Sequence, residues 1–126
     1  MTTLSVYLFC AALAGLAIFQ LLLIAGVPLG RFAWGGQNRV LPARLRWGSV
    51  VSIGLYAAFA TVALERTDII DVIPSDVLVA ILMWVIASYL LLGVVMNLAS
   101  KSKPERYTMA PLSLVLGVLA VMIAVS

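Results

Sequence analysis

Four long apolar runs without a single charged side chain constrain this chain more than any other feature of it. Residues 4–29, 49–64, 77–99 and 107–125 contain no Asp, Glu, Lys, Arg or His. A helix that crosses the roughly 30 Å hydrocarbon core of a bilayer needs about 20 predominantly apolar residues. The second run is short, covering about 24 Å at the helical rise. Leu45, Arg46 and Trp47 extend it by a turn, with the Arg46 head reaching back toward the headgroups. The expected fold is an all-α integral membrane protein, a four-transmembrane-helix bundle. Its helices are expected near residues 3–29, 46–64, 75–99 and 107–125 of one membrane domain covering 1–126.

Composition narrows the function classes. Of 126 residues 64% are hydrophobic and 10% charged, where a soluble domain carries about 25% charge. Disorder, a disulfide scaffold and nucleic-acid binding are excluded on these figures. Histidine is absent and Cys10 is the single cysteine, so no metal site and no cofactor are expected. Cys10 itself lies in an apolar helix, where a thiol is inert. No Lys or Arg occurs in the first 30 residues, so the first run reads as a retained helix and not as a cleaved signal.

The loop charges set an expected orientation. Arg31, Arg39, Arg44 and Arg46 occupy the first loop, and Lys101, Lys103 and Arg106 face only Glu105 in the third. The middle loop carries Glu65, Asp68, Asp71 and Asp76 against Arg66. By the positive-inside rule the first and third loops are cytoplasmic, and both termini face outward. The expected setting is the plasma membrane of a bacterial-type cell (its inner membrane), crossed several times. Trp34, Trp47 and Tyr107 suit the cytoplasmic interface. The acidic middle loop matches no calcium-loop spacing and reads as a solvated, translocated segment.

In size and helix count alone the chain resembles the small multidrug antiporters and the small fluoride channels. The first family relies on a membrane-embedded Glu in its first helix, and residues 4–29 have none. The second breaks its third helix with a Thr- and Ser-rich motif, which the stretch around Ser88-Tyr89 lacks. With no Asp, Glu, Lys, Arg or His in any of the four runs, proton coupling through an intramembrane carboxylate is not expected.

Two groups of residues are candidate sites. Gln20, Ser49, Ser52, Tyr56, Ser88, Asn97 and Ser113 concentrate polarity toward the cytoplasmic half, as a vestibule opening to that side would require. The same residues equally serve as hydrogen-bonding cross-links between helices, at about 0.6 kcal/mol each. The second group is the long, basic, Gly-rich first loop: Arg31, Gly35, Gly36, Gln37, Asn38, Arg39, Arg44 and Arg46. Gly35-Gly36 permits positive φ and backbone N–H donation, and arginines offer forked donors to phosphate. This loop reads either as an anion or lipid-headgroup site or as a topology determinant lying on anionic lipid. It contains no phosphate-binding GxxxxGK[ST] motif.

Small residues recur as Ala11, Ala14 and Gly15 in the first helix and as Ser113, Gly117, Ala120 and Ala124 in the fourth. Such stripes serve packing within the chain or a homo-oligomer seam. No nucleophile, base and metal ligands converge, so catalysis is the least supported class. The reading that remains is a homo-oligomeric transporter or channel for a small anion or neutral solute. Its alternative is an accessory subunit that binds a membrane partner or anionic lipid.

Overall fold

The computed structural model describes residues 2–126, and among these every regular element is helical. The helices are α1 (Thr2–Ile24), α2 (Ala43–Arg66), α3 (Asp76–Leu98) and α4 (Lys103–Ala124). Two single-turn 3₁₀ helices, Gly30–Phe32 and Trp34–Gly36, lie between α1 and α2. All four long helices are apolar enough to cross a membrane, with mean hydropathies of 2.3, 1.6, 2.6 and 2.0. In none of them is more than 39% of the apolar stretch buried inside the protein. Side chains such as Ile18, Val51, Val85 and Leu92 point outward, which a bilayer tolerates and water does not. The chain is a multi-pass membrane protein.

Three boundaries differ from the sequence expectation, each for a local reason. The first helix stops at Ile24 and not at residue 29 because Gly26 turns left-handed, at φ +90°. The Val27 and Gly26 N–H groups then donate to the Leu22 and Leu23 carbonyls, closing the end as a Schellman motif. The second starts three residues early, at Ala43, since the Pro42 carbonyl already accepts from the Leu45 and Arg46 amides. The fourth starts at Lys103, capped by Ser102 Oγ on the Glu105 amide, with Pro104 in the first turn. Pro111 therefore lies inside α4, not in its opening turns.

In the bundle α3 and α4 form the most extensive pair, followed by α1 and α2. Gly117 makes the first approach possible: a β-carbon there would lie 2.6 Å from the Leu91 side chain. Ala120 and Ala124 continue the same buried line, so the small-residue stripe of α4 serves packing within the chain. The stripe of α1 does not, since Ala11, Ala14 and Gly15 are exposed and a β-carbon on Gly15 would touch nothing within 4 Å.

The connections meet in pairs. At one end the first loop touches the α3–α4 connection, where Ser102 Oγ donates to the Arg31 carbonyl. At the other, Arg66 Nη2 donates to the Ala124 carbonyl at 3.0 Å, so α2 and α4 finish side by side. There a cation meets the negative end of a helix dipole. The dry core fills this second end, built from Val6 and Phe9 of α1, Val62 and Ala63 of α2, Val79 and Met83 of α3, and Ala120 and Ile123 of α4.

Glu65 closes that end from the loop side. It is buried, and its Oε1 accepts from the Val72 amide and from the Ile73 amide, the latter at 2.6 Å. Removing a buried acceptor leaves its donors unsatisfied at about 1–3 kcal/mol. Glu65→Ala should therefore lower the unfolding free energy of the detergent-solubilised protein by that amount. Glu65→Gln, which keeps an acceptor oxygen, should recover most of it; equal losses in the two variants would contradict this anchoring.

Candidate functional site

The end opposite the dry core is hollow. A cavity of about 520 Å³ lies there, within the range of small-molecule sites. Leu16, Phe19 and Gln20 of α1 and Tyr56 of α2 form one side. Gly93 and Asn97 of α3, and Met109, Leu112 and Ser113 of α4, form the other. Phe32, Ala33 and Trp34 of the first loop cover it. Tyr89, Leu92 and Met96 of α3 also line it while being 54%, 60% and 66% exposed. Lining residues that exposed mark a mouth, so the chamber opens sideways along α3.

The loop lies over the chamber because its glycines let it come close. A β-carbon on Gly48 of α2 would run into the Trp34 indole at 2.6 Å, so the ring lies against that helix. Gly30 is pinned by its amide on the Arg39 carbonyl at 2.9 Å, with the Asn38 carbonyl filling the place of a β-carbon. Gly35 and Gly36 take positive φ, +77° and +71°, and a β-carbon on Gly36 would overlap the Ser102 side chain.

The latch is Glu105. Its carboxylate Oε2 accepts the Gly35 amide at 3.1 Å across 70 residues of chain, and the residue is buried. Ser102-Lys103-Pro104-Glu105 has the sequence of a capping box, in which the glutamate would return to the Ser102 amide. Here the Ser102 amide donates instead to Ser100 Oγ at 3.2 Å, which leaves the Glu105 side chain to hold the first loop. In the sequence Glu105 stands among loop charges, beside Lys101, Lys103 and Arg106, and is not among the expected site residues. The capping-box spacing was the signal that puts it inside α4, on the chamber wall.

The proposed vestibule residues separate into two groups. Gln20 Nε2 donates to Tyr56 Oη at 3.3 Å and Asn97 Nδ2 to Ser113 Oγ at 2.9 Å, and all four residues line the chamber. Gln20 Oε1 is buried without a hydrogen-bond partner among the described residues. Ser49 is fully buried outside the lining, with no hydrogen-bond partner among the described residues. Ser52 and Ser88 bond carbonyls one turn back in their own helices, those of Gly48 and Trp84, both at 2.9 Å. Ser88 faces a second, shallower groove on the outside of α3, with Val77, Ile81 and Trp84.

The first-loop residues also divide. The Gly35 amide is taken by Glu105 and the Gly36 amide by the Ala33 carbonyl, so neither is free for an anion. Arg46 Nε donates to the Leu41 carbonyl at 2.7 Å and its guanidinium lies against Gly26. The Arg31 guanidinium stacks over its neighbour Phe32, 5.0 Å from the ring centroid. Arg39, Arg44 and Gln37 are exposed, Asn38 is half-buried, and none of these four side chains is hydrogen-bonded to the described residues. Among the described residues no group of three His, Cys, Asp or Glu could hold a metal.

No family model, curated protein or solved structure matches the chain.

If the close approach of the loop holds the lid, Gly36→Ala should loosen it. The new methyl group meets Ser102 and a positive φ together, a cost of about 1–3 kcal/mol. Hydrogen exchange at the Gly35 amide should accelerate while α2 and α3 keep their protection. Unchanged exchange at Gly35 would show that the latch does not depend on this contact.

Proposed function

We propose that the chain binds an amphiphilic small solute in the lidded chamber and acts as a carrier in the membrane. The observation that supports this most is the placement of the two polar pairs, Gln20–Tyr56 and Asn97–Ser113, on the wall of an otherwise apolar cavity open toward the bilayer. Pockets of this kind bury an apolar body and orient one polar head. The packed core at the far end favours a carrier over an open channel, because Phe9, Met83 and Ile123 leave no passage beside them.

The sequence left a small anion and a neutral solute open. The chamber favours a solute without negative charge, since its one ionisable wall residue other than tyrosine is Glu105 and its loop amides are engaged. The basic end of the bundle is read as cytoplasmic, with Arg39 and Arg44 free to meet anionic lipid headgroups. A second copy would pack on the outward Ala11–Ala14–Gly15 face of α1. The accessory-subunit reading draws support from the same polar pairs, because each also ties two helices together.

Gly93 offers a test that spares the fold. A β-carbon there meets nothing closer than Ser113 Oγ at 3.9 Å, so a larger side chain grows into the chamber. In lipid nanodiscs the parent protein should bind 1-hexanol saturably. Gly93→Leu should weaken that binding about tenfold or more, with no loss of thermal stability because leucine is the better helix former. Parent-like binding in Gly93→Leu would remove the chamber from the account.

A further inference from the structure

The hydrogen bonding inside the chamber is lopsided. Each amide turns its nitrogen toward a neighbouring hydroxyl, Gln20 to Tyr56 and Asn97 to Ser113. The amide oxygens remain as acceptors, and the Tyr56 and Ser113 hydroxyls each keep a hydrogen to donate. Gln20 Oε1 has no hydrogen-bond partner among the described residues although the residue is only 8% exposed. Glu105 is 7% exposed, its Oε2 holds the Gly35 amide, and its Oε1 takes no hydrogen bond from the described residues. No Lys or Arg lines the chamber to balance that carboxylate. The carboxylate is left with one amide donor and with no cation among the residues of the chamber wall.

The rest of the wall suits a positive charge attached to an apolar body. Phe19, Phe32, Trp34, Tyr56 and Tyr89 supply aromatic faces, which attract a cation through their quadrupoles. A bare metal ion is a poor match, because it needs several oxygen ligands at short range and the wall is mostly apolar around one carboxylate. A zwitterion or an anion finds no cationic partner inside. A protonated amine brings N–H donors for Glu105 Oε1 and the amide oxygens, and its chain fills the apolar volume.

Resting on the chamber reading above, we propose that its solute is a monovalent organic cation, a protonated alkylamine. The ammonium is held by Glu105 Oε1 and the alkyl chain lies among Phe19, Phe32 and Trp34. The exposed cations of this end, Arg31, Lys101 and Lys103, stand outside the lining. A solute arriving by the lateral mouth along α3 reaches the carboxylate without passing them.

The test uses the full chain in phosphatidylcholine nanodiscs, with Trp47→Phe and Trp84→Phe leaving Trp34 as the reporter. Hexylammonium, 1-hexanol and hexanoate are titrated in parallel and followed by Trp34 emission. Hexylammonium should saturate the signal at about tenfold lower concentration than 1-hexanol, as expected for a charge-assisted hydrogen bond, with hexanoate weakest. Glu105→Gln, whose amide oxygen still accepts from Gly35, should abolish the preference, so that hexylammonium and 1-hexanol saturate at similar concentrations on that variant. Circular dichroism and size-exclusion behaviour matching the parent establish that the variant is folded. Equal binding of hexylammonium and 1-hexanol, or a preference that survives Glu105→Gln, would overturn the assignment while leaving the chamber in place. Absence of saturable binding by all three ligands would overturn the chamber reading with it.

Discussion

The contact on which the loop end of this protein depends is the hydrogen bond from the Gly35 amide to the Glu105 carboxylate. It joins the first loop to the first turn of α4, and it brings Phe32 and Trp34 over the cavity. The bond forms because two local conflicts are resolved elsewhere. Ser100 satisfies the Ser102 amide, which frees Glu105 from its own cap. Glycine at 35 accepts a left-handed backbone that aims its N–H at α4. A charged acceptor makes such a bond stronger than a neutral one, and burial raises the cost of breaking it.

The two ends of the bundle thus use the same device for opposite results. At the far end Glu65 gathers the Val72 and Ile73 amides, Arg66 caps α4, and the helices close on a dry core. At the near end Glu105 gathers Gly35, yet α1 and α3 stay far enough apart to leave a chamber. Helix association in lipid rests on packing and interhelical hydrogen bonds and not on exclusion of apolar surface from water. Gly117 against Leu91 gives α3 and α4 that packing, whereas at the loop end Gln20–Tyr56 and Asn97–Ser113 hold their helices by polar contacts around a void.

Much of the fold was legible, because uninterrupted apolar runs of spanning length admit few structures besides membrane helices. The ends were less so. Gly26 looks like one more small residue in an apolar run, and its left-handed turn depends on the geometry of the closing hydrogen bonds. The site was legible in part. Gln20, Tyr56, Asn97 and Ser113 could be named from position alone, but Ser52 and Ser88 bond their own helices, a choice made by side-chain rotamer and invisible in spacing. Gly35-Gly36 suggested an anion cradle, and the anion that occupies one of its amides is Glu105 of the same chain. Glu105 escaped notice because three basic neighbours, Lys101, Lys103 and Arg106, made it look like a counter-charge.

The lid is the central claim, and nuclear magnetic resonance of the selectively labelled protein in lipid nanodiscs tests it most directly. Cross-relaxation between the Trp34 indole protons and the Gly48 α-protons reports whether the loop lies on α2 over the chamber. A closed lid predicts strong contacts between them, together with a slowly exchanging Gly35 amide. A Trp34 ring without contacts to Gly48, and a Gly35 amide exchanging as fast as a free loop, would contradict the lid and the chamber it defines.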